Sequence, residues 1–76
     1  MEFETKMRLL NAAHQHYDAI ASRARANMAV YLNSSTGIGE HSDLVEEIVE
    51  FIDKITAAED CKRTIESIIK DTCAEA

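Results

Sequence analysis

No proline occurs anywhere in this chain, and its two glycines, Gly37 and Gly39, sit together inside the stretch NSSTGIGEHSD, residues 33–43. Proline and glycine are the residues that most readily stop a helix or let a chain reverse. Confining them to one central spot leaves two long arms without a breaker. The chain is thereby restricted to two extended elements joined at an elbow.

Both arms carry a helical period. In the first, Phe3, Met7, Leu10, His14, Tyr17, Ala21, Ala24, Met28 and Tyr31 step by four and three without a slip, and only His14 is polar. That spacing lays a stripe along one face of a helix. The second arm repeats it through Leu44, Ile48, Phe51, Ile55, Ala58, Lys62, Ile65, Ile69 and Thr72. Val45, Val49, Ile52, Cys61 and Ile68 widen its apolar arc. Glu50–Lys54, Glu59–Arg63 and Glu66–Lys70 place an acid four residues before a base, the favourable order on a helix. Asp43, Glu46 and Glu47 crowd the start, where the helix dipole favours negative charge. Ser42 or Asp43 is the expected N-cap, and Asp43 with Glu46 has capping-box spacing. "TAAE", Thr56 to Glu59, also has capping-box form and offers a rival break. The stripe crosses it in phase, so a continuous second helix is favoured.

The expected fold is all-α: one domain over residues 1–76, with a helix over about 2–33, a loop over 34–41 and a helix over about 42–74. Folding at the glycines pairs Tyr31 with Leu44, Met28 with Ile48, Ala24 with Phe51, Ala21 with Ile55, Tyr17 with Ala58 and Leu10 with Ile65. His14 then falls opposite Lys62 as the one polar layer. Asn33 or a glycine is expected to take the left-handed conformation that ends the first helix. Ile38 is expected to cover the end of the core.

Such an antiparallel hairpin leaves Leu9, Ile20, Val45, Val49, Ile52 and Ile68 half exposed. A long exposed apolar strip marks an interface. The expected partner is a second copy, giving a four-helix bundle, with a higher oligomer or another protein as the alternative.

Charge narrows the function classes. The net charge is −6, which argues against nucleic acid as a partner, because phosphate contacts need clustered Lys and Arg. The acids are concentrated in the second arm, where residues 42–76 carry ten against Lys54, Lys62, Arg63 and Lys70. No apolar run approaches the roughly 18 residues of a membrane span. The opening MEFETKMRLL lacks the basic start of a secretory signal, and a cytoplasmic protein is expected. Cys61 and Cys73 stand about 18 Å apart along one helix, too far for a bond to each other.

No catalytic site is expected. Ser34, Ser35, Thr36 and His41 share one loop without a rigid scaffold, so no nucleophile, base and acid converge. GIGEH precedes a helix start but lacks the lysine and glycine spacing of a phosphate loop, and the neighbouring acids repel an anion. Gly37, Ile38, Gly39, Glu40 and His41 form a possible recognition tip, the simpler expectation being a solvated capping loop. His14 and Asp18 are four apart and could share an ion, with His41 joining them across a dimer. One chain alone lacks a complete ligand set, so no cofactor or metal is expected. The acidic residues Glu46, Glu47, Glu50, Asp53, Glu59 and Asp60 are read first as a solvated helix face, and alternatively as a surface for a basic partner.

Residues 29–48, AVYLNSSTGIGEHSDLVEEI, resemble a set of small, uncharacterised helical proteins of tailed phages of marine bacteria. The resemblance rests on Tyr31, Leu32, Gly37, Ile38, Gly39, Glu40, His41 and Asp43: a Tyr-Leu helix ending, a GIGEH turn and an acidic restart. Members often carry proline at the position of Ser42, which suits a helix start. The resemblance implies a viral or metagenomic source and the hairpin, and brings no catalytic residues. The expected function is that of a non-enzymatic, self-associating accessory, adaptor or regulatory protein. The alternatives are an inhibitor that presents the acidic face of the second helix to a host protein, and a small metal site across a dimer.

Overall fold

The computed structural model describes residues 1–33 and 43–76. The glycine elbow, with Gly37, Ile38, Gly39, Glu40 and His41, lies outside the described residues. Two helices make up the described chain: α1 over Phe3–Asn33 and α2 over Leu44–Glu75. They run antiparallel, since His14 of α1 meets Glu66 near the end of α2 while Tyr31 meets Phe51 near its start.

The expected signals account for most of the boundaries. Asp43 is extended, with φ −78° and ψ 102°, and its carboxylate accepts the Glu46 amide at 3.1 Å. Its carbonyl takes the first helical bond from the Glu47 amide. One residue thus satisfies donors that a helix start otherwise leaves bare. The rival break at Thr56 does not occur, and α2 runs through it unbroken. Of the two places expected for a left-handed ending, Asn33 does not adopt it, and the glycines lie outside the described residues. No non-glycine residue among those described has positive φ. Asn33 stays helical, and its side-chain amide donates to the Ala29 carbonyl at 2.8 Å, which stands in for a backbone cap.

The core is thin and lies where the two stripes meet. Ala21, Ala24, Ile55, Ala58 and Ile65 are its buried residues, and every one belongs to a predicted stripe. Met7, Leu10, Tyr17, Met28, Ile48, Phe51 and Ile69 flank them half-buried. Small alanines in the middle of the seam let the helix axes come close, with Ile55 and Ile65 filling the space between them. Phe3 and Leu44, each the first stripe member of its helix, are exposed, whereas Tyr31 and Thr72, the last of each stripe, are half-buried. The Tyr31 ring sits edge-on to Phe51, with centroids 5.8 Å apart.

The product is a rod of 56 × 15 × 15 Å with a radius of gyration of 17.2 Å. A globular chain of this length has about 11 Å. Among the described residues, no helix is long and apolar enough to cross a membrane.

Candidate interaction surfaces

The two sides of the seam have opposite characters. On one, α1 and α2 are tied by charge. Lys62 Nζ donates to Asp18 Oδ1 at 2.8 Å and lies 3.6 Å from Glu59 Oε2. Glu59 in turn lies 3.6 Å from Arg25. One turn further along, His14 Nε2 is 2.9 Å from Glu66 Oε2.

This corrects the expected polar layer, in which His14 faced Lys62. Helical side chains lean toward their own N-terminus. In an antiparallel pair, two residues at one level therefore lean apart, and each tip meets a residue about a turn away. Two basic groups are thereby separated, and each finds a carboxylate.

The Lys62 side chain is 17 % exposed, its stem lying along the seam while its ammonium reaches the carboxylates at the rim. The hydrogen bond to Asp18 holds the Lys62 pKa above its ordinary 10.5 against the opposing effect of burial, with the charges of Asp18 and Glu59 assisting. The same hydrogen bond and the Lys62 charge pull Asp18 below the usual 3.8. Such a cluster fixes which residues face each other. It leaves no poised base or nucleophile, since each acid is already paired.

These pairs also settle the sides of the hairpin, because residues seven apart share a side of a helix pair. Val45 and Ile52 stand in register with Glu59 and Glu66, so they continue the charged side toward the start of α2, with Val49 beside them. Ile20 occupies the other side, where it shares a shallow groove of about 200 Å³ with Tyr17, Lys54, Ala57, Ala58 and Cys61. Ile68, seven after Cys61, lies on that side too, and Leu9 adjoins it one turn before Ala13. The six residues expected to form one strip thus fall into two patches. Leu9, Ile20 and Ile68 make one; Val45, Val49 and Ile52 make the other. All six are exposed, from 37 % at Ile20 to 72 % at Val45.

The remaining candidates are dispersed. His14 and Asp18 are engaged with Glu66 and Lys62 rather than with each other. Among the described residues, no three His, Cys, Asp or Glu side chains converge as metal ligands would. The acidic face of α2 is not uniform: Glu59 belongs to the charged seam and Asp60 pairs with Arg63, whereas Glu46, Glu50 and Asp53 are exposed and unpaired among the described residues. Cys61 is half-buried and Cys73 exposed, both as free thiols. The Tyr31 hydroxyl is buried without a hydrogen-bond partner among the described residues. Burial, then the charges of Glu47 and Asp43, push its pKa above the ordinary 10.0.

The ties of Asp18 to Lys62 and of Arg25 to Glu59 were not anticipated from sequence. Their signal was available: each pair puts opposite charges beside the stripe on facing helices. Comparison with known proteins found no matching family model, no matching curated protein and no matching solved structure.

Proposed function

We propose that the protein is a non-enzymatic helical protein that works by association, as an accessory, adaptor or regulatory subunit, and that two copies join as a four-helix bundle. The resemblance of residues 29–48 to small phage proteins implies a viral or metagenomic source and points to no known activity. The observation that carries self-association is surface area. The chain exposes 5724 Å², whereas a compact monomer of 8.5 kDa exposes about 4,700 Å². The excess, about 1,000 Å², is close to the roughly 800 Å² that one partner hides in a standard interface. A second hairpin laid alongside removes that excess and gives Leu9, Ile20 and Ile68, or Val45, Val49 and Ile52, an apolar neighbour.

Sedimentation equilibrium or light scattering at micromolar concentration tests this. The expected mass is twice the 8.5 kDa of one chain. A folded species of single-chain mass over that range overturns the proposal.

A second reading draws on Glu46 and Asp53, exposed and unpaired among the described residues, which border Val45 and Val49. An apolar patch with an acidic border suits a basic amphipathic segment of another protein. Capture of such a peptide is expected to weaken several-fold when the two acids are changed to Gln and Asn, and to weaken further in high salt. Binding that ignores both changes excludes this surface.

A further inference from the structure

The charge pattern distinguishes the two apolar patches, and on that basis we infer that the copies meet along the side of the hairpin that carries Leu9, Ala13, Ile20, Ala57, Cys61 and Ile68. This rests on the self-association proposed above and assigns its seam.

The net charge of −6 sets two copies against each other, so a homotypic seam must lie where the carboxylates are not. On the side that holds Ile20 and Cys61, no Asp or Glu occurs between Leu9 and Arg23 of α1 or between Lys54 and Ile68 of α2. The opposite side holds Asp18, Glu59 and Glu66 over the same span. Glu46 and Asp53 border the patch of Val45, Val49 and Ile52. Two copies brought together there, or along the charged side, crowd like charges as water is excluded, which is unfavourable. Along the Ile20 side they bury Leu9, Ile20 and Ile68, which are 56 %, 37 % and 44 % exposed, without burying an acid.

Beyond that stretch the side is mixed in charge. Arg23 and Lys54 line the groove beside Ile20, and Glu47 and Glu50, seven residues before Lys54 and Ala57, follow toward the elbow. Past Leu9 and Ile68, the side ends in Glu2, Lys6, Asp71 and Glu75. A two-fold axis across the rod, near Ala13 and Cys61, centres the contact on the acid-free stretch and sets Arg23 of one copy near Glu2 and Asp71 of the other. The contact is self-complementary and closed, as a two-fold dimer requires. An axis along the rod would instead place Arg23 against Arg23 and Asp71 against Asp71.

The inference predicts which substitution breaks the dimer. Ile20→Glu should weaken association by about a hundredfold or more, since each dimer would bury two new charges, while Val49→Glu should leave the mass at that of two chains. A measurement on the unaltered protein guards against misfolding of the variants. Maleimide labelling of Cys61, in the middle of the seam, should slow as protein concentration rises through the association range. Labelling of the exposed Cys73 should not. If the unaltered protein is a folded monomer, self-association and its seam both fall. If it dimerises, yet Val49→Glu breaks the dimer and Ile20→Glu does not, or Cys61 labels at one rate throughout, the seam is misassigned while self-association stands.

Discussion

Replacing Ile55 with alanine should remove about 2–5 kcal/mol of stability, the range for truncating a buried isoleucine. A single hydrophobic core in a chain this small rarely supplies more than about 3–5 kcal/mol, so the variant should lose most of its helix at room temperature. Among the described residues, Ile55 and Ile65 are the two large side chains in the buried set, and the rest are alanines. The alanines allow close approach but bring little apolar area, so the isoleucines carry much of the burial. Around Ile55 the stripe offers Ala21, Ala24 and Ala58, none of which can swing in to fill a cavity. The proper comparison is Val30→Ala, at a position 66 % exposed, which should change stability by no more than about 0.5 kcal/mol. Urea denaturation followed by circular dichroism, at one fixed protein concentration, separates the two, because association makes apparent stability concentration-dependent. A loss at Ile55 no larger than at Val30 would show that the stripes do not meet there.

The seam was legible in the sequence because a four-three step over a whole arm leaves a helix only one way to hide its apolar residues. Ile55, Ala58 and Ile65 could be placed in the core from spacing alone. Asp43 was legible for a similar reason: few side chains can accept an amide three residues on, and acids clustered behind it. What spacing could not convey is direction. His14 and Lys62 share a level but not a contact, because the lean of each side chain carries its tip to Glu66 or Asp18. The same limitation merged Ile20 and Ile52 into one strip. Each flanks the stripe of its own helix, and only the ion pairs show that they flank it on opposite sides of the assembled pair. Asparagine tolerates positive φ, which makes Asn33, alongside the glycines, a candidate terminator in the sequence; in the structure its side chain bonds back to Ala29 and it stays helical.

These features divide the labour within a very small fold. The buried alanines and isoleucines hold α1 to α2 but do not choose a register strongly, since one alanine layer packs much like the next. The charged side supplies that choice, because a slip of one turn would set Lys62 near His14 and leave Asp18 without its ammonium. The acid-poor side then remains available for a second copy. If the copies meet as proposed, register and association fall on opposite sides of one rod, and a change on one side should leave the other largely intact.

Lys62→Glu should consequently unfold the hairpin selectively at neutral pH. The new carboxylate would lie among Asp18, Glu59 and Glu66, replacing the single ammonium that now serves two of them. Four carboxylates gathered at this rim repel, the more so in low salt, although Asp18 and Glu66 are more than half exposed. The pH dependence gives the effect a signature. In the unaltered protein Asp18 is held below its ordinary 3.8, so the pair's contribution is full above that value and is lost as pH falls through the lowered one. Lys62 is held above 10.5, so its contribution is full below 10.5 and is lost as pH rises through the raised one. The pair therefore stabilises the fold across the whole neutral range and weakens at both extremes. In the variant the clustered carboxylates hold protons more tightly folded than unfolded, so acidification toward pH 4 should restore helix while leaving the parent's pair in place. Adding Asp18→Lys should restore the fold at neutral pH by re-forming the pair with its charges exchanged. Thermal melts of the parent, Lys62→Glu and the double variant at pH 7 and pH 4 in low salt suffice to measure this. A single variant that melts like the parent at pH 7, or a double variant no more stable than the single, would mean that Lys62 and Asp18 do not govern the pairing of α1 with α2.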